Sequence, residues 1–231
     1  MPALRGKLKC VRKTNTQMTV ISVVSNHALT SETFVLRTNK LEHPLVAGQC
    51  FSIGVPHVAI NREYSIYSGS SEPHYDFLIR RVEGGIVSNA LSELKAGDVV
   101  DLWGPFGAFT LDQHSILKNK FVFIASGTGI APFHSFVRSY PNLDYQILHG
   151  IRYESEQYDR DDYNEGAYFP CVSRPTSAGK PMRVTDLIEK LEISGDETFY
   201  LCGNRNMIND SISLLRRKGI NGNQIFTETF F

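Results

Sequence analysis

The residues best suited to chemistry follow a short apolar run in the second half of the chain. Residues 119–133 read NKFVFIASGTGIAPF, so β-branched and aromatic residues stop at Gly127-Thr128-Gly129, and Pro132 follows. Proline suits the first turn of a helix because its missing N–H has no partner there. A strand, a glycine turn and a helix start together aim backbone N–H groups at a phosphate. The third glycine of the dinucleotide fingerprint is absent, so a tight turn without a ligand remains an alternative.

Three other short segments carry groups suited to binding. Arg62-Glu63-Tyr64-Ser65 offers a guanidinium for a pyrophosphate, a ring that can pack on a sugar and a hydroxyl donor. Cys202-Gly203-Asn204 ends another apolar run and leads to Met207, and its glycine would let a planar ring approach the backbone. Gly84-Gly85-Ile86-Val87-Ser88 precedes a predicted helix whose N–H groups suit phosphate. Each segment also has a purely structural interpretation, such as packing for the cysteine or capping for the serine.

Two kinds of scaffold must position these segments. Up to about residue 110, short β-rich stretches alternate with turn formers, which predicts a small antiparallel barrel. The predicted strands are residues 18–24, 33–37, 50–55, 64–67, 75–80 and 99–103, with one helix over 87–94. After residue 118, strands at 121–125, 144–149, 168–172 and 198–202 alternate with helices at 185–191 and 207–218, the pattern of a doubly wound parallel sheet. We predict a domain boundary between residues 113 and 114.

Bulk composition excludes some function classes. Lys plus Arg and Asp plus Glu both number 24, so no global field favours nucleic acid or an anionic membrane. The longest uninterrupted apolar run, residues 121–125, is far below the roughly 20 residues that span a bilayer. No basic-then-apolar leader opens the chain, so we expect a cytoplasmic protein without membrane insertion.

The cysteines are Cys10, Cys50, Cys171 and Cys202. They lie too far apart for a zinc ribbon or a Cys-ligated iron–sulfur cluster, and reduced thiols are expected.

Charge is uneven locally. Residues 1–13 hold five basic residues and no acid, whereas residues 154–165 hold six acids and one arginine. Each run is interpreted either as an ordinary solvated face or as a docking patch for a charged partner. Arg152, Arg174 and Arg183 come after predicted strands or in a loop, where they could clamp a phosphate monoester or be ordinary surface residues.

In chain order, five motifs resemble the ferredoxin–NADP reductase family, particularly the short bacterial ferredoxin/flavodoxin reductases. They are Arg62-x-Tyr-Ser65, Gly85-x-x-Ser88, Gly104-Pro-x-Gly107, Gly127-Thr-Gly-x-Ala-Pro132 and Cys202-Gly-Asn204. The similarity extends from Ala47-Gly-Gln49 to the aromatic residues at the end of the sequence, although Cys50 stands where the family more often has an aromatic. The resemblance implies a six-stranded antiparallel FAD-binding β-barrel followed by a doubly wound α/β domain that binds NADP.

The resemblance also implies site residues. Ser65 would lie beside flavin N5 and Cys202 near the reacting carbon of the nicotinamide, while Glu228 matches an acidic residue that the family places nearby; these are the candidate catalytic residues. The candidate FAD-binding residues are Arg62, Glu63, Tyr64, Ser65, Ile86, Val87, Ser88, Thr128, Phe230 and Phe231. The candidate NADP-binding residues are Gly127, Gly129, Arg152, Ser173, Arg174, Arg183, Cys202, Gly203, Asn204 and Met207, and the three arginines would hold the 2′-phosphate. No metal is implied.

The implied activity is a flavoprotein reductase that relays electrons between NADP(H) and a one-electron carrier, ferredoxin or flavodoxin, by hydride transfer to FAD. Without cluster-ligating cysteines, the carrier would be a separate acidic protein attracted to Lys7, Lys9 and Lys13. One alternative is a reductase component of an oxygenase, or a free-flavin or ferric reductase, on the same scaffold. A non-catalytic nucleotide-binding subunit is another alternative.

Overall fold

The first half of the chain folds into an antiparallel barrel. The computed structural model describes residues 18–56, 58–112, 114–176 and 179–230. The barrel strands are β1 (Thr19–Ala28), β2 (Thr33–Asn39), β3 (Cys50–Gly54), β4 (Arg62–Ser65), β5 (His74–Arg80) and β6 (Val99–Phe106), in the spatial order β4-β3-β6-β1-β2-β5. Helix α1 (Ile86–Ser92) precedes β6. Just beyond β4, the Tyr67 N–H donates to the Asp76 carbonyl of β5 at 2.8 Å, so the two outer strands of the sheet meet. The predicted six-stranded barrel is confirmed.

The second half is a parallel sheet between helices. Its strands are β7 (Phe121–Ser126), β8 (Tyr145–Ile151), β9 (Tyr168–Val172), β10 (Thr198–Gly203) and β11 (Ile225–Thr229), in the order β11-β10-β7-β8-β9. Its helices are α2 (Ala131–Ser139), α3 (Val184–Lys190) and α4 (Arg205–Arg217). Phe123 of β7 packs with α2, whereas its neighbour Ile124 packs in the cluster that includes α3 and α4. Because β7 is buried on both faces, its sequence is continuously apolar. The predicted α/β domain is confirmed.

One strand has no counterpart in the sequence prediction. Ile225–Thr229 forms β11, which pairs in parallel with β10 at the edge of the sheet. Its residues are half-buried or exposed and include polar Thr227, Glu228 and Thr229, so no buried apolar run marks it as a strand. Helix α4 also begins two residues before the predicted start, because the Asn204 side chain accepts the Asn206 N–H at 2.9 Å and caps it.

A shared apolar cluster joins the two domains. Phe109, which follows β6, lies with its ring centroid 5.2 Å from that of Tyr200 in β10 and 6.0 Å from that of Phe133 in α2. Ala47 and Tyr67 of the barrel half are buried in the same cluster. The domains therefore meet through packed side chains, which fixes the barrel against the carboxyl ends of the parallel strands.

The segment between β8 and β9 (residues 152–167, the β8–β9 segment) reaches back to the barrel. The hydroxyls of Tyr158 and Thr33 are 3.1 Å apart, and the Tyr67 hydroxyl donates to Asp159 Oδ2 at 2.7 Å. Asp159 has a left-handed backbone, with φ of 43°. This segment contains the acidic run, so at least part of that run is in contact with the barrel.

A histidine–carboxylate contact completes this connection. His134 of α2 donates from Nδ1 to the Tyr67 carbonyl at 2.7 Å, and its Nε2 lies 2.8 Å from Asp162 Oδ2. Arg138 of α2 lies 3.3 Å from the other oxygen of Asp162 and also binds Glu72 of the barrel half at 2.8 Å. The exposed Asp162 therefore has a structural contact that neither interpretation of the acidic run includes, because its carboxylate bridges two elements.

Replacing Asp162 by alanine is expected to lower the free energy of unfolding by about 1 to 2 kcal/mol. The change leaves Nε2 of the buried His134 without its carboxylate partner. Urea unfolding at neutral pH measures the loss. Asp161→Ala is the matched control, since Asp161 is the adjacent exposed acid. Equal losses in the two variants would contradict the role given to Asp162.

Within the described ranges, no helix combines the length and apolarity needed to cross a bilayer.

Candidate functional site

Three candidate catalytic residues come together where the barrel meets the parallel sheet. The Ser65 hydroxyl, at the end of β4, donates to Glu228 Oε2 of β11 at 3.1 Å. Cys202 of β10 is the register partner of Glu228, and on its other side it pairs with Ala125 of β7. Ser65 and Cys202 are buried and Glu228 is half-buried. A residue of the barrel and two residues of the nucleotide domain therefore share one small polar site.

The site favours uncharged forms of its side chains. Burial raises the pKa of Glu228, the hydrogen bond from Ser65 opposes this, and the charge of Glu63 adds to it. Burial also raises the pKa of Cys202 well above its ordinary value, with a further contribution from Glu228. Cys50, the register partner of Ser65, has its pKa raised to about 12, chiefly by burial. The two cysteines are therefore neutral thiols, suited to packing against a ring and unsuited to nucleophilic attack.

Phe230 covers this site. Cys202 is completely buried, and the half-buried Phe230 packs against the apolar cluster that contains it. The Phe230 N–H donates to the Gly203 carbonyl at 3.0 Å, which continues the pairing of β11 with β10. Because Cys202 is completely buried, a ligand can touch it only if a covering residue moves, and Phe230 is the aromatic residue bonded to its neighbour Gly203. Phe231, which is implied to bind FAD, lies outside the described residues.

Glycines let two strand ends approach each other at the carboxyl edge. Gly127 has φ of 53° and Gly203 has φ of 129°, backbone conformations that favour glycine. A Cβ on Gly203 would lie 2.4 Å from the Ser126 hydroxyl oxygen, which itself accepts the Asn204 N–H at 2.8 Å. A Cβ on Gly129 would lie 2.4 Å from the Cys202 carbonyl oxygen. The turns that follow β7 and β10, together with Thr128, thus form one continuous backbone surface.

The candidate FAD-binding residues of β4 differ in burial. Arg62 is exposed, and its Nη1 donates to the Asn61 carbonyl at 2.9 Å. Tyr64 packs half-buried against the barrel core, and burial raises the pKa of its hydroxyl to about 12. Glu63 is exposed. β4 therefore has an exposed guanidinium group, that of Arg62, close to the half-buried ring of Tyr64.

The start of α1 presents backbone and hydroxyl groups. Its N-cap is Gly85, which has no side chain and therefore cannot cap the first N–H groups of the helix. Ile86 is exposed, Val87 is buried in the barrel core, and the Ser88 hydroxyl oxygen accepts the Val82 N–H at 3.1 Å. The Ser88 hydroxyl proton remains available to donate to a ligand. Val87 could bind a ligand only through its backbone, because its side chain is buried.

An arginine-lined cleft of about 400 Å³ lies beyond the carboxyl end of β9. Its lining residues are Ser173, Arg174, Pro181, Arg183 and Asp186. The Asp186 carboxylate accepts the Arg183 N–H at 2.8 Å, which caps α3 and anchors that arginine's backbone. The structure thus brings together two of the three arginines that the sequence groups.

The third arginine and Met207 are not lining residues of this cleft, although the Arg152 carbonyl accepts the Arg174 N–H at 2.8 Å. Arg152 is not among the described residues that line the cleft; its charge, after that of Arg80, helps to lower the pKa of Glu32 in the barrel half. Met207 packs against the apolar cluster beneath the sheet, with its sulfur 3.6 Å from the Ser211 hydroxyl. Their assignment as nucleotide-binding residues stays a prediction without support from side-chain position.

His149 is a buried polar residue to which the sequence analysis assigns no role. It lies in β8, with Nε2 2.8 Å from the Gly127 carbonyl oxygen and Nδ1 2.8 Å from the Tyr168 hydroxyl. Burial lowers its pKa to about 4, partly opposed by the bond to Gly127. The signal available was a histidine inside an otherwise apolar strand, next to Gly150.

Comparison with known proteins identifies both domains. Residues 17–111 match the oxidoreductase FAD-binding domain, and residues 123–212 match the oxidoreductase NAD-binding domain. This chain belongs to the ferredoxin–NADP reductase family. It therefore contains one domain of the oxidoreductase FAD-binding type and one of the oxidoreductase NAD-binding type.

Two similar proteins have different functions. The chain is 31% identical over 198 residues to the toluate 1,2-dioxygenase electron transfer component of Pseudomonas putida, a match that covers 79% of this chain and 58% of the relative. It is 32% identical over 151 residues to a flavodoxin/ferredoxin–NADP reductase of Buchnera aphidicola, which covers 58% of each chain. The matched region is thus little more than half of the length of either relative.

Solved structures share the fold. A Neisseria gonorrhoeae ferredoxin NADP⁺ reductase with bound FAD and NADP superposes with a TM-score of 0.79 at 20% identity, covering 93% of this chain and 99% of the other. An Amycolatopsis cytochrome P450 reductase gives 0.81 at 24% identity, covering 94% and 72%.

The residues present in this chain fit FAD. The exposed Arg62 guanidinium and the free Ser88 proton suit a pyrophosphate, and the half-buried ring of Tyr64 suits a flat partner. Ser65 supplies a hydroxyl beside the neutral thiol of its register partner Cys50 and the carboxyl group of Glu228, where a ring could be bound. The donor set therefore agrees with the matched FAD-binding domain.

Proposed function

We propose that this chain is a cytoplasmic reductase that relays electrons between NADP(H) and a separate one-electron carrier, ferredoxin or flavodoxin. The observation that carries the proposal is the Ser65–Glu228 hydrogen bond beside Cys202, at the junction of the two cofactor domains. A site that belongs to both domains is what transfer between two bound cofactors requires, because reacting groups must be held at near-attack distance. FAD, when bound, supplies the chemistry that links two-electron and one-electron transfer.

The barrel residues would hold and orient FAD. Arg62 and the backbone of Ile86 and Val87, with the hydroxyl of Ser88, would bind the pyrophosphate. Tyr64 would pack on the flavin, and the Ser65 hydroxyl, which has a single proton, would turn from Glu228 to donate to the reactive nitrogen of the flavin. In this structure Glu228 accepts that proton.

The nucleotide-domain residues would position NADP(H). Gly127, Thr128 and Gly203 would admit the nicotinamide half to the carboxyl edge, where Phe230 would leave for the ring to reach Cys202. Arg174 and Arg183 line the cleft in which the 2′-phosphate would bind. Glu154 is occupied by Thr176, whose N–H and hydroxyl lie 3.2 and 3.0 Å from its carboxylate, so it is not placed as a free acid for ribose hydroxyls.

A reductase component of an oxygenase system is the second candidate function. The similarity to the toluate 1,2-dioxygenase electron transfer component favours it. That match covers 79% of this chain, whereas the match to the flavodoxin/ferredoxin reductase covers 58%. The basic run, with Lys7, Lys9 and Lys13, lies outside the described residues. Its proposed attraction for an acidic carrier is tested by acceptor assays at low and high salt.

An absorbance spectrum and an anaerobic titration test the proposed function. The purified protein should show a flavin spectrum that NADPH bleaches at lower concentration than NADH. Added ferredoxin or flavodoxin should then accept electrons faster than free flavin or ferric citrate. A protein that remains colourless with added FAD would overturn the assignment, and a preference for free flavin would favour the alternative reductase class.

Replacing Arg174 by glutamine is expected to raise the Kd for NADP⁺ about tenfold, because one charged contact to the 2′-phosphate is lost. The affinity for NAD⁺, which lacks that phosphate, should stay unchanged. Calorimetric titration of the FAD-loaded protein measures both constants. Arg217→Gln is the matched control, since Arg217 is an exposed arginine at the end of α4 and is not a candidate binding residue. Equal loss of NADP⁺ and NAD⁺ binding would show that Arg174 does not read the phosphate.

A further inference from the structure

His149 links the interior of the nucleotide domain to the glycine turn. It is fully buried in β8, opposite Ala125 of β7 in the sheet register. Its two ring nitrogens bind the Gly127 carbonyl and the Tyr168 hydroxyl, each at 2.8 Å. These contacts hold the ring from both sides and connect β9 to the turn through one side chain.

The partners determine the tautomer. A peptide carbonyl can only accept, so Nε2 of His149 carries the proton that is donated to Gly127. In the neutral ring, Nδ1 then accepts from the Tyr168 hydroxyl. Burial favours this neutral form, which agrees with the lowered pKa of His149.

The bond to Gly127 orients the next peptide group. In a trans peptide the C=O and N–H point in opposite directions. With the Gly127 carbonyl directed at His149, the Thr128 N–H is directed away from it. Gly127 has φ of 53° and begins a 3₁₀ turn, Gly127–Ile130, which itself sets the orientation of this peptide. The bond from His149 reinforces that orientation from outside the turn.

We propose that His149 is a positioning residue for the nicotinamide nucleotide: it holds the Gly127–Thr128 peptide so that the Thr128 N–H faces the dinucleotide. This inference rests on the proposed function and deepens it. His149 itself would touch neither cofactor, since it is fully buried. Its effect is transmitted through one backbone carbonyl and concerns the nicotinamide half of NADP(H), away from the arginine-lined cleft.

Side-chain replacements that keep or remove the Nε2 donor test this role. His149→Gln places an amide N–H near the position of Nε2, whereas His149→Leu removes the donor. We expect His149→Leu to raise the Kd for NADP⁺ about tenfold and to slow flavin reduction at saturating NADPH, and His149→Gln to recover most of both. Tyr168→Phe, which keeps the donor to Gly127, should have less than a threefold effect.

A second nucleotide separates positioning from general damage. Adenosine 2′,5′-bisphosphate would occupy the arginine-lined cleft but has no nicotinamide. Calorimetry with the FAD-loaded variants should show unchanged affinity for it when NADP⁺ binding is weakened. Should His149→Leu fail to fold, His149→Asn replaces it. The shorter asparagine amide lies near the position of Nδ1, so it can still bond the Tyr168 hydroxyl but does not reach the Gly127 carbonyl.

The outcomes separate this inference from the proposed function. Weakened NADP⁺ binding with glutamine rescue and unchanged bisphosphate binding supports the positioning role. Unchanged NADP⁺ binding, equal effects of glutamine and leucine, or parallel loss of both nucleotides would overturn it while the proposed function stands. Wild-type protein that binds neither NADP⁺ nor the bisphosphate would overturn both.

Discussion

Replacing Ser65 by alanine is expected to slow reduction of bound flavin by NADPH about 100-fold, with FAD still bound. An oriented donor in a site that excludes water contributes roughly 10²- to 10³-fold in rate when it is aimed at the reacting group. Ser65 is buried, and its single hydroxyl proton, which Glu228 accepts in this structure, would turn to the flavin nitrogen when FAD binds. The groups proposed to hold the pyrophosphate, Arg62 and Ser88, are untouched by the change, so cofactor retention is expected.

Stopped-flow absorbance under anaerobic conditions measures this rate, and the flavin-to-protein ratio reports retention. Ser213→Ala is the matched control, because the exposed Ser213 hydroxyl donates to the Asn209 carbonyl of its own helix and lies far along the sequence from Ser65. An unchanged reduction rate in Ser65→Ala would remove Ser65 from the transfer step. A colourless variant would instead assign the serine to FAD binding.

The second large effect concerns pH. The stability of the folded chain should fall by about 2 kcal/mol between pH 7.5 and pH 5 through His149 alone. Its pKa is lowered from 6.5 to about 4 by complete burial. Between these two values the unfolded chain binds a proton that the folded chain does not, so acid favours unfolding. The contribution is fully present above pH 6.5 and is lost as pH falls toward 4.

Urea unfolding as a function of pH isolates this contribution. The free energy of unfolding of the wild type should fall relative to that of His149→Gln by about 2 kcal/mol between pH 7.5 and pH 5, because glutamine does not titrate. His27→Gln removes an exposed histidine of β1 and should keep the wild-type slope. Parallel curves for wild type and His149→Gln would mean that His149 is protonated as readily in the folded state as in the unfolded one.

Local patterns were sufficient to predict the scaffold. β7 reads as a strand because both of its faces are buried, and Pro132 marks the start of α2 because its missing N–H is harmless there. The roles of the three candidate catalytic residues are implied by the family resemblance and stay a prediction. The structure shows Ser65 bonded to Glu228, with Cys202 as the register partner of Glu228.

Contacts between distant segments could not be predicted in this way. Ile225–Thr229 is an edge strand that is stabilised by its pairing with β10. Its own residues carry no pattern that predicts a strand. Asp162 looked like one member of a charged run, and only the fold places it against His134. Arg152 and Arg174 look equivalent in sequence, but only Arg174 lines the cleft. Long-range packing decides such cases, and one unaligned sequence carries little information about it.

The β8–β9 segment has a consequence for building hybrid enzymes. Exchange of a nucleotide-binding half between relatives is usually planned with a single crossover in the linker, here near residue 113. In this chain the second half also reaches the first through Tyr158, Asp159 and Glu228, at three of the barrel's own residues: Thr33, Tyr67 and Ser65. A chimera joined only at the linker would carry mismatched partners at each of these positions. A hybrid that keeps the β8–β9 segment and β11 of the protein that supplies the barrel should restore these pairs. The yield of folded hybrids would then show how independently the two halves of such proteins fold.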